Sequence, residues 1–360
     1  MLPSTLMQID FHHGVTYVLA RLAGFEHGAA ETIAYAAQYV DDATNGGCVT
    51  FDNGAMYARI SSAHRMLDYR NLQELANHRV WIPFHFLPGN CGLPAGEEPR
   101  GKFIERLICT PDSPVARDMV RAAIDARGQA NGLERLGVAM HVYADTWAHQ
   151  GFAGVNHAQN SADMVTDGEG APDVRLLDRL TSYFVGEALP LGHGAVLSNP
   201  DRPWLQWGYT NGRGQVIRRD NPRDFLAAAE AMFKAMRRFR LGDADAAVGG
   251  LAAADRARID GMLRSLRDPE GEVRHAAWLD AIGRGEFSFG RASPVYIAKG
   301  EGSWKYAALG TTAEVDDEDE VFVYSPAFLR SQWKRFHDAL QEHRFDVLHR
   351  ILPHYGICAA

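Results

Sequence analysis

Residues Leu133–His157 read LERLGVAMHVYADTWAHQGFAGVNH, and the spacing His141-x3-Asp145-x3-His149 at its centre governs how the rest of the chain is interpreted. In an α-helix, residues four apart lie about 40° apart around the axis, so these three side chains project within roughly 80° of one another. One helix face therefore carries imidazole, carboxylate, imidazole. Leu133, Leu136, Met140, Tyr143 and Trp147 recur at three- and four-residue intervals and mark an apolar stripe on a neighbouring face. Between the polar groups stand small residues, Ala139, Ala144 and Ala148. Three ligand-type side chains in register among small residues are hard to explain by packing, so a metal site is the expectation and a buried polar network the alternative. His157 follows the breaks at Gly151 and Gly154, which would let the chain fold back towards the same site.

Composition bounds the answer. A chain of 360 residues, 46% hydrophobic and 23% charged, is long enough for a large core and has the balance of an ordinary globular protein. Its net charge of -8 disfavours a basic groove for long polyanions, although a metal would supply local positive charge. Cys48, Cys91, Cys109 and Cys358 have neither CxxC spacing nor the density of a disulfide framework. The N-terminal stretch MLPSTLMQIDFHHG lacks the charged-then-apolar order of a signal peptide, and no window approaches a membrane span, so a cytoplasmic protein is the default and export without a cleaved signal stays open.

Further ligand-type residues lie upstream. Asp10 is a plausible N-cap of a helix ending at Gly24, with His12 and His13 in its first turn. A second helix, about His27 to Ala43, ends in the acids Asp41 and Asp42. Exposed acids at a helix C-terminus oppose the macrodipole at about 0.3–1 kcal/mol each, so the pair asks for a cation, either a metal or an Arg. Residues 48 to 63 suit strand or loop. His64 and His78 fall in or near the following helix, and His85 sits in PFHFLPG, where two prolines predict a rigid extended segment. A helix over 112–130 is expected, with Asp112 or Ser113 as its cap and Pro114 in its first turn.

Downstream, AQNSADMVTDGEGAPD reads as a long loop over the site, followed by a helix over about Val174 to Ala188. The Gly-, Pro- and aromatic-rich run after it predicts an ordered loop carrying His193 and Asp201. Helices are expected at about 224–241, 243–266, 272–282 and 325–352, and the acidic run Glu314–Glu320 reads as solvated surface. The whole is expected to be a single mainly α-helical domain, with a ligand core over about 10–210 and a helical elaboration over about 222–360.

Mixed imidazole and carboxylate ligands suit zinc, with manganese or iron as alternatives, and an aspartate between two histidines can bridge two cations. Such a centre activates water for attack on a phosphoryl or acyl group, with no Ser or Cys nucleophile, and Gly-x-Ser-x-Gly and Walker-type patterns are absent. The order of ligands resembles the zinc-dependent phospholipases C and single-strand-specific zinc nucleases. That resemblance implies an all-helical fold with two or more zinc ions. It assigns the early His to His12 or His13, the upstream acid to Asp41 or Asp42, the second upstream ligand to His85 or His64, and the central pair to His141 and Asp145, with Asp145 as bridge; His149 and His157 would bind the remaining metal. The sequence departs from that pattern in leaving only three residues between Asp145 and His149, where the superfamily spaces its next His further from the central Asp, and in lacking a clear acid one turn after His157. A His…His-Asp…Asp phosphohydrolase is resembled less, because the adjacent His-Asp pair is missing. FHHGVTY, AQYVDDA, HVYADTWAHQGF and GHGAVLSNPDRPW look more like an uncharacterised bacterial family known by a domain-of-unknown-function label, a likeness that spans much of the chain.

These readings imply a metal-dependent hydrolase of phosphoesters such as phospholipids or phosphodiesters, with His141 and Asp145 at its centre and a small-molecule or lipid substrate. The competing expectation is a noncatalytic, metal-stabilised helical binding or effector protein.

Overall fold

The His141 stretch forms one long helix and the other elements wrap it. A computed structural model describes residues 9–63, 74–169, 196, 198–313 and 320–359. His64, His193, the expected helix over Val174–Ala188 and most of the acidic run lie outside the described residues.

The chain enters through a π-helical turn, Asp10–Val15, that runs into α1, Thr16–Leu22. Then come α2, His27–Asp42, and the hairpin strands β1, Gly47–Phe51, and β2, Met56–Arg59. α3, Glu74–Phe84, continues through Pro83, so His85 follows a helix end; the extended segment expected around it is not what forms. The carbonyl of Trp81 accepts from the amides of both His85 and Phe86, which turns the chain sharply there. α4, Pro114–Asp125, starts where its cap chemistry dictates: Ser113 accepts from the Ala116 amide and Pro114 needs no acceptor for a missing N–H.

Central to all of this is α5, Gly132–Ala148, buried along nearly its whole length. It packs on α2, α4, α6 (Asn221–Leu241) and α9 (Gln332–Phe345). A helix surrounded on all sides has no solvated face, so its polar residues must be satisfied inside the protein. The closest crossing is with α2, at Gly137: a Cβ there would lie 2.4 Å from the Ile33 carbonyl oxygen and 2.6 Å from Ala36 Cβ. Only glycine lets the two backbones approach this far.

Further on, α7, Ala253–Ser265, and α8, Gly271–Arg284, complete the helical layer, and α8 packs on the N-terminal π-helical turn. The main apolar cluster draws on both ends of the chain, from Phe11 and Val15 to Leu352 and Ile357.

Two three-stranded sheets form: the first takes the strand alternative for residues 48 to 63, and the second stands where loops are expected. β1 lies between β2 and β6, Val321–Phe322, pairing parallel with β6 at Thr50↔Val321 and Phe51↔Phe322. β3, Ala162–Asp167, β4, Gln206–Asn211, and β5, Val216–Asp220, form an antiparallel sheet. The aromatic-rich run is therefore partly strand. Trp207 and Tyr209, two apart and on one face, stack with each other at 5.1 Å and continue onto Phe152 just beyond α5. No described helix is long and apolar enough to cross a membrane.

Candidate metal centre

His141 and Asp145, one turn apart on α5, face a cluster contributed by three other elements. The π-helical turn supplies His12, the C-terminal turn of α2 supplies Asp41, and the sharp end of α3 supplies His85. His149 is the C-cap of α5 and reaches Asp201 in the 3-10 turn Asn199–Asp201. All seven side chains are at most 8% exposed.

Each element holds its ligand for a local reason. The π-helical turn is braced from α8: Arg274 donates to both oxygens of Asp10, at 2.7 and 3.0 Å, and Trp278 packs so close to Gly14 that a Cβ there would meet it at 3.0 Å. π-helical turns are rare and concentrate at functional sites, and this one carries His12. The Gly137 crossing brings the Ala37 carbonyl onto His141.

The backbone fixes the histidine tautomers. His141 Nδ1 donates to the Ala37 carbonyl at 2.8 Å, His85 Nε2 to the Ser62 carbonyl at 2.9 Å, and His149 Nδ1 to the His85 carbonyl at 2.7 Å. A carbonyl oxygen only accepts, so the hydrogen of each neutral ring is committed away from the cluster. What remains pointing inwards on His141 and His85 is a lone pair. His141 Nε2 and His85 Nδ1 lie 3.2 Å apart, and Asp145 Oδ2 is 3.3 Å from the first and 3.2 Å from the second. Asp41 Oδ1 stands 3.8 Å from His141 Nε2 and 3.9 Å from His85 Nδ1. On the far side of Asp145, Oδ1 is 3.3 Å from His12 Nε2, and the His12 and His141 rings stack at 3.8 Å.

Four acceptor atoms converge with no hydrogen among them unless a ring or the Asp41 carboxyl is protonated. Burial works against a proton on the rings. It holds His12 and His85 below their ordinary range and, with the neighbouring His12, holds His141 down at about 4. His149 is the exception: burial opposes its charge, but the Asp145 and Asp201 carboxylates raise it to about 9. Asp145 is held well below the carboxylate range, burial being outweighed by His149 and His141. Asp41 goes the other way, raised by burial and then by Asp145, and neither of its oxygens meets a hydrogen-bond partner. Without a cation beside it Asp41 takes up a proton, because a buried, uncompensated carboxylate would cost several kcal/mol, well above the helix-end penalty expected of an exposed one.

A divalent cation would answer these features together. In a tetrahedral site with bonds of about 2.0–2.1 Å, neighbouring ligand atoms are about 3.3–3.4 Å apart. The triangle of His85 Nδ1, His141 Nε2 and Asp145 Oδ2 has nearly those edges, and Asp41 Oδ1 closes on it from a slightly longer distance. The donor set, two imidazoles and two carboxylates with carbonyl-oriented rings, suits zinc, manganese or iron. Asp145 Oδ1 and His12 Nε2 lie outside that triangle and offer the beginning of a second position.

His12, Asp41, His85, His141, Asp145 and His149 thus come together. Three other expected ligands lie apart from them. His13 turns to α8, its Nδ1 hydrogen-bonded to His275 Nε2 at 2.8 Å. Asp42 accepts from the Tyr296 hydroxyl at 2.5 Å and from Gln38 at 3.2 Å. His157 is exposed, and its Nδ1 accepts from the Gln159 amide at 2.9 Å, capping the 3-10 turn Ala158–Asn160; the fold-back after Gly151 leads into β3. Asp201 joins the centre through His149. Arg274 and His275, which brace the His12 turn, carried no signal in the sequence, since an Arg-His pair in an amphipathic helix reads as surface.

A buried cluster of imidazoles and carboxylates in a mainly helical protein defines a candidate metalloprotein. Residues 7–351 match the sequence family described as "Family of unknown function (DUF6765)", and the chain belongs to that family. No curated protein and no solved structure matches it.

Proposed function

We propose that this protein is a metal-dependent hydrolase, with zinc as the preferred ion and phosphoesters such as phosphodiesters or phospholipids as substrates. The observation that carries the proposal is the meeting of His85 Nδ1, His141 Nε2 and Asp145 Oδ2 at 3.2–3.3 Å with every available ring hydrogen directed elsewhere. Asp41, His85, His141 and Asp145 would hold one ion, and His12 with the second oxygen of Asp145 would begin a second position. When bound, such an ion lowers the pKa of a water ligand and neutralises charge on a phosphoryl oxygen. The chain's own residues contribute orientation: the carbonyls of Ala37, Ser62 and His85 fix the rings, and Asp201 holds His149 against Asp145. The resemblance to the phospholipase C and zinc nuclease superfamily supports the substrate class, and its fold is part of this proposal.

A second reading is favoured by one observation. Every clustered ligand candidate is buried, as in closed structural metal sites, whereas a catalytic site keeps an open coordination position. That reading makes the protein a noncatalytic, metal-stabilised binding or effector protein. The two separate in one experiment: hydrolysis of bis(p-nitrophenyl) phosphate is followed with and without chelator while circular dichroism reports the fold. Activity lost with helicity retained supports hydrolysis. Unfolding on chelation, with no turnover before it, supports the structural reading.

A further inference from the structure

A second polar site lies at the opposite end of α5 from the cluster's His149. There a cavity of about 490 Å³ opens between the first turns of α5, the C-terminal end of α9 and a second π-helical turn, Asp346–Ile351. Arg135, Arg344 and Arg350 line it, with Glu342, Asp346 and an aromatic rim of Phe345 and His349.

The charges do not cancel. Asp346 is shared: Oδ2 accepts from Arg135 at 2.7 Å and Oδ1 from Arg350 at 2.9 Å. Glu342 comes no closer than 3.9 Å to Arg135. Arg135 is 1% exposed, and its Nε is buried without a hydrogen-bond partner. Arg344 is half-buried and makes no hydrogen bond or ion pair among the described residues, while the neighbouring Arg79 repels it and, after burial itself, depresses its pKa. Phe345 is 50% exposed although it sits beside the cavity, and its ring lies 5.1 Å from that of His349. Guanidinium forks match phosphate oxygens, and an exposed aromatic pair offers a face to a flat ring. Asp346, His349 and Arg350 of the lining lie on a π-helical turn, the same rare geometry that presents His12.

We infer that this cavity binds a small phosphate-bearing molecule, its phosphate held by Arg344 and Arg350 and its apolar part against Phe345 and His349. The site is separate from the metal centre and does not depend on what that centre does.

Titration calorimetry of the purified protein with inorganic phosphate and with phenyl phosphate tests it, using wild type, Arg344→Gln and Arg350→Gln. Both residues are away from the ligand cluster and at least partly exposed, so the fold is expected to persist, as thermal melts will verify. Phosphate binding weakened about tenfold by Arg344→Gln, the loss of one charge-assisted contact, with phenyl phosphate tighter than phosphate, is the expected result. Absence of binding overturns the inference, and so does binding that both substitutions leave unchanged, since that places the anion at the metal centre.

Discussion

His141 Nε2 and His85 Nδ1 face each other at 3.2 Å while each ring spends its hydrogen on a backbone carbonyl, Ala37 for one and Ser62 for the other. Two lone pairs at that separation repel unless a cation stands beside them. A proton on either ring is disfavoured by burial, and a metal ion beside them would stabilise the arrangement. Purified protein is therefore expected to hold at least one equivalent of a transition metal by mass spectrometric analysis. His141→Ala removes one corner of the His85, His141 and Asp145 triangle and should release the metal. Less than one equivalent in the wild type, or full retention in the variant, would sink the assignment.

Gly137 sets the distance between α2 and α5, and with it the distance from Asp41 to His141. A methyl group at this position meets the Ile33 carbonyl and Ala36, so Gly137→Ala must push the helices apart. Overpacking of this kind costs about 1–3 kcal/mol, more than the helix-propensity gain of an alanine returns. Chemical denaturation should show a lower midpoint, and metal affinity should fall with it because the Ala37 carbonyl moves off His141 Nδ1. A stabilised variant would mean that the crossing is looser than described.

The central helix and its ligand face were legible in the sequence because a 3.6-residue period states both the element and the direction of its side chains. The choice between Asp41 and Asp42, or between His12 and His13, was not. Neighbouring residues on a helix differ by about 100° in direction, so which one faces the cluster depends on how the whole helix is rotated by its packing. Asp42 is drawn away by Tyr296 and His13 by His275, partners more than 250 positions distant in sequence. His157 misled for a different reason. Two glycines permit a reversal but do not dictate it, and the β3 strand that follows takes the chain elsewhere. The π-helical turn has no periodic signature at all and depends on Arg274.

That arginine provides its own test. Arg274 and Asp10 form a bidentate pair, 1% and 3% exposed at their side chains, that anchors the turn carrying His12. Removing one member leaves a buried charge without its counterpart, at about 3–5 kcal/mol, whereas replacing both by apolar residues of similar volume is far less costly. Arg274→Met should destabilise strongly, and Arg274→Met with Asp10→Leu should recover much of the loss in urea denaturation. If the double variant is no more stable than the single, the pair is not what holds the turn.

Glu134, in the first turn of α5, isolates a pH effect from the metal ligands. Burial raises its carboxyl to about 7 from an ordinary 4.5, so the folded state keeps a proton that the unfolded chain has already released. The sign follows: its contribution is fully present below about pH 4.5 and is lost as the pH rises towards about 7, where the native state must carry a buried carboxylate. Glu134→Gln keeps the shape without the titration. The variant should therefore be close to wild type in stability at pH 5 and more stable by about 1–3 kcal/mol at pH 8, where the wild-type carboxylate is charged in both states. Denaturation of both proteins at the two pH values reads the difference directly, and because both share the same histidine and aspartate cluster, its own pH dependence cancels. An equal gap at pH 5 and pH 8 would show that Glu134 does not hold its proton in the folded protein.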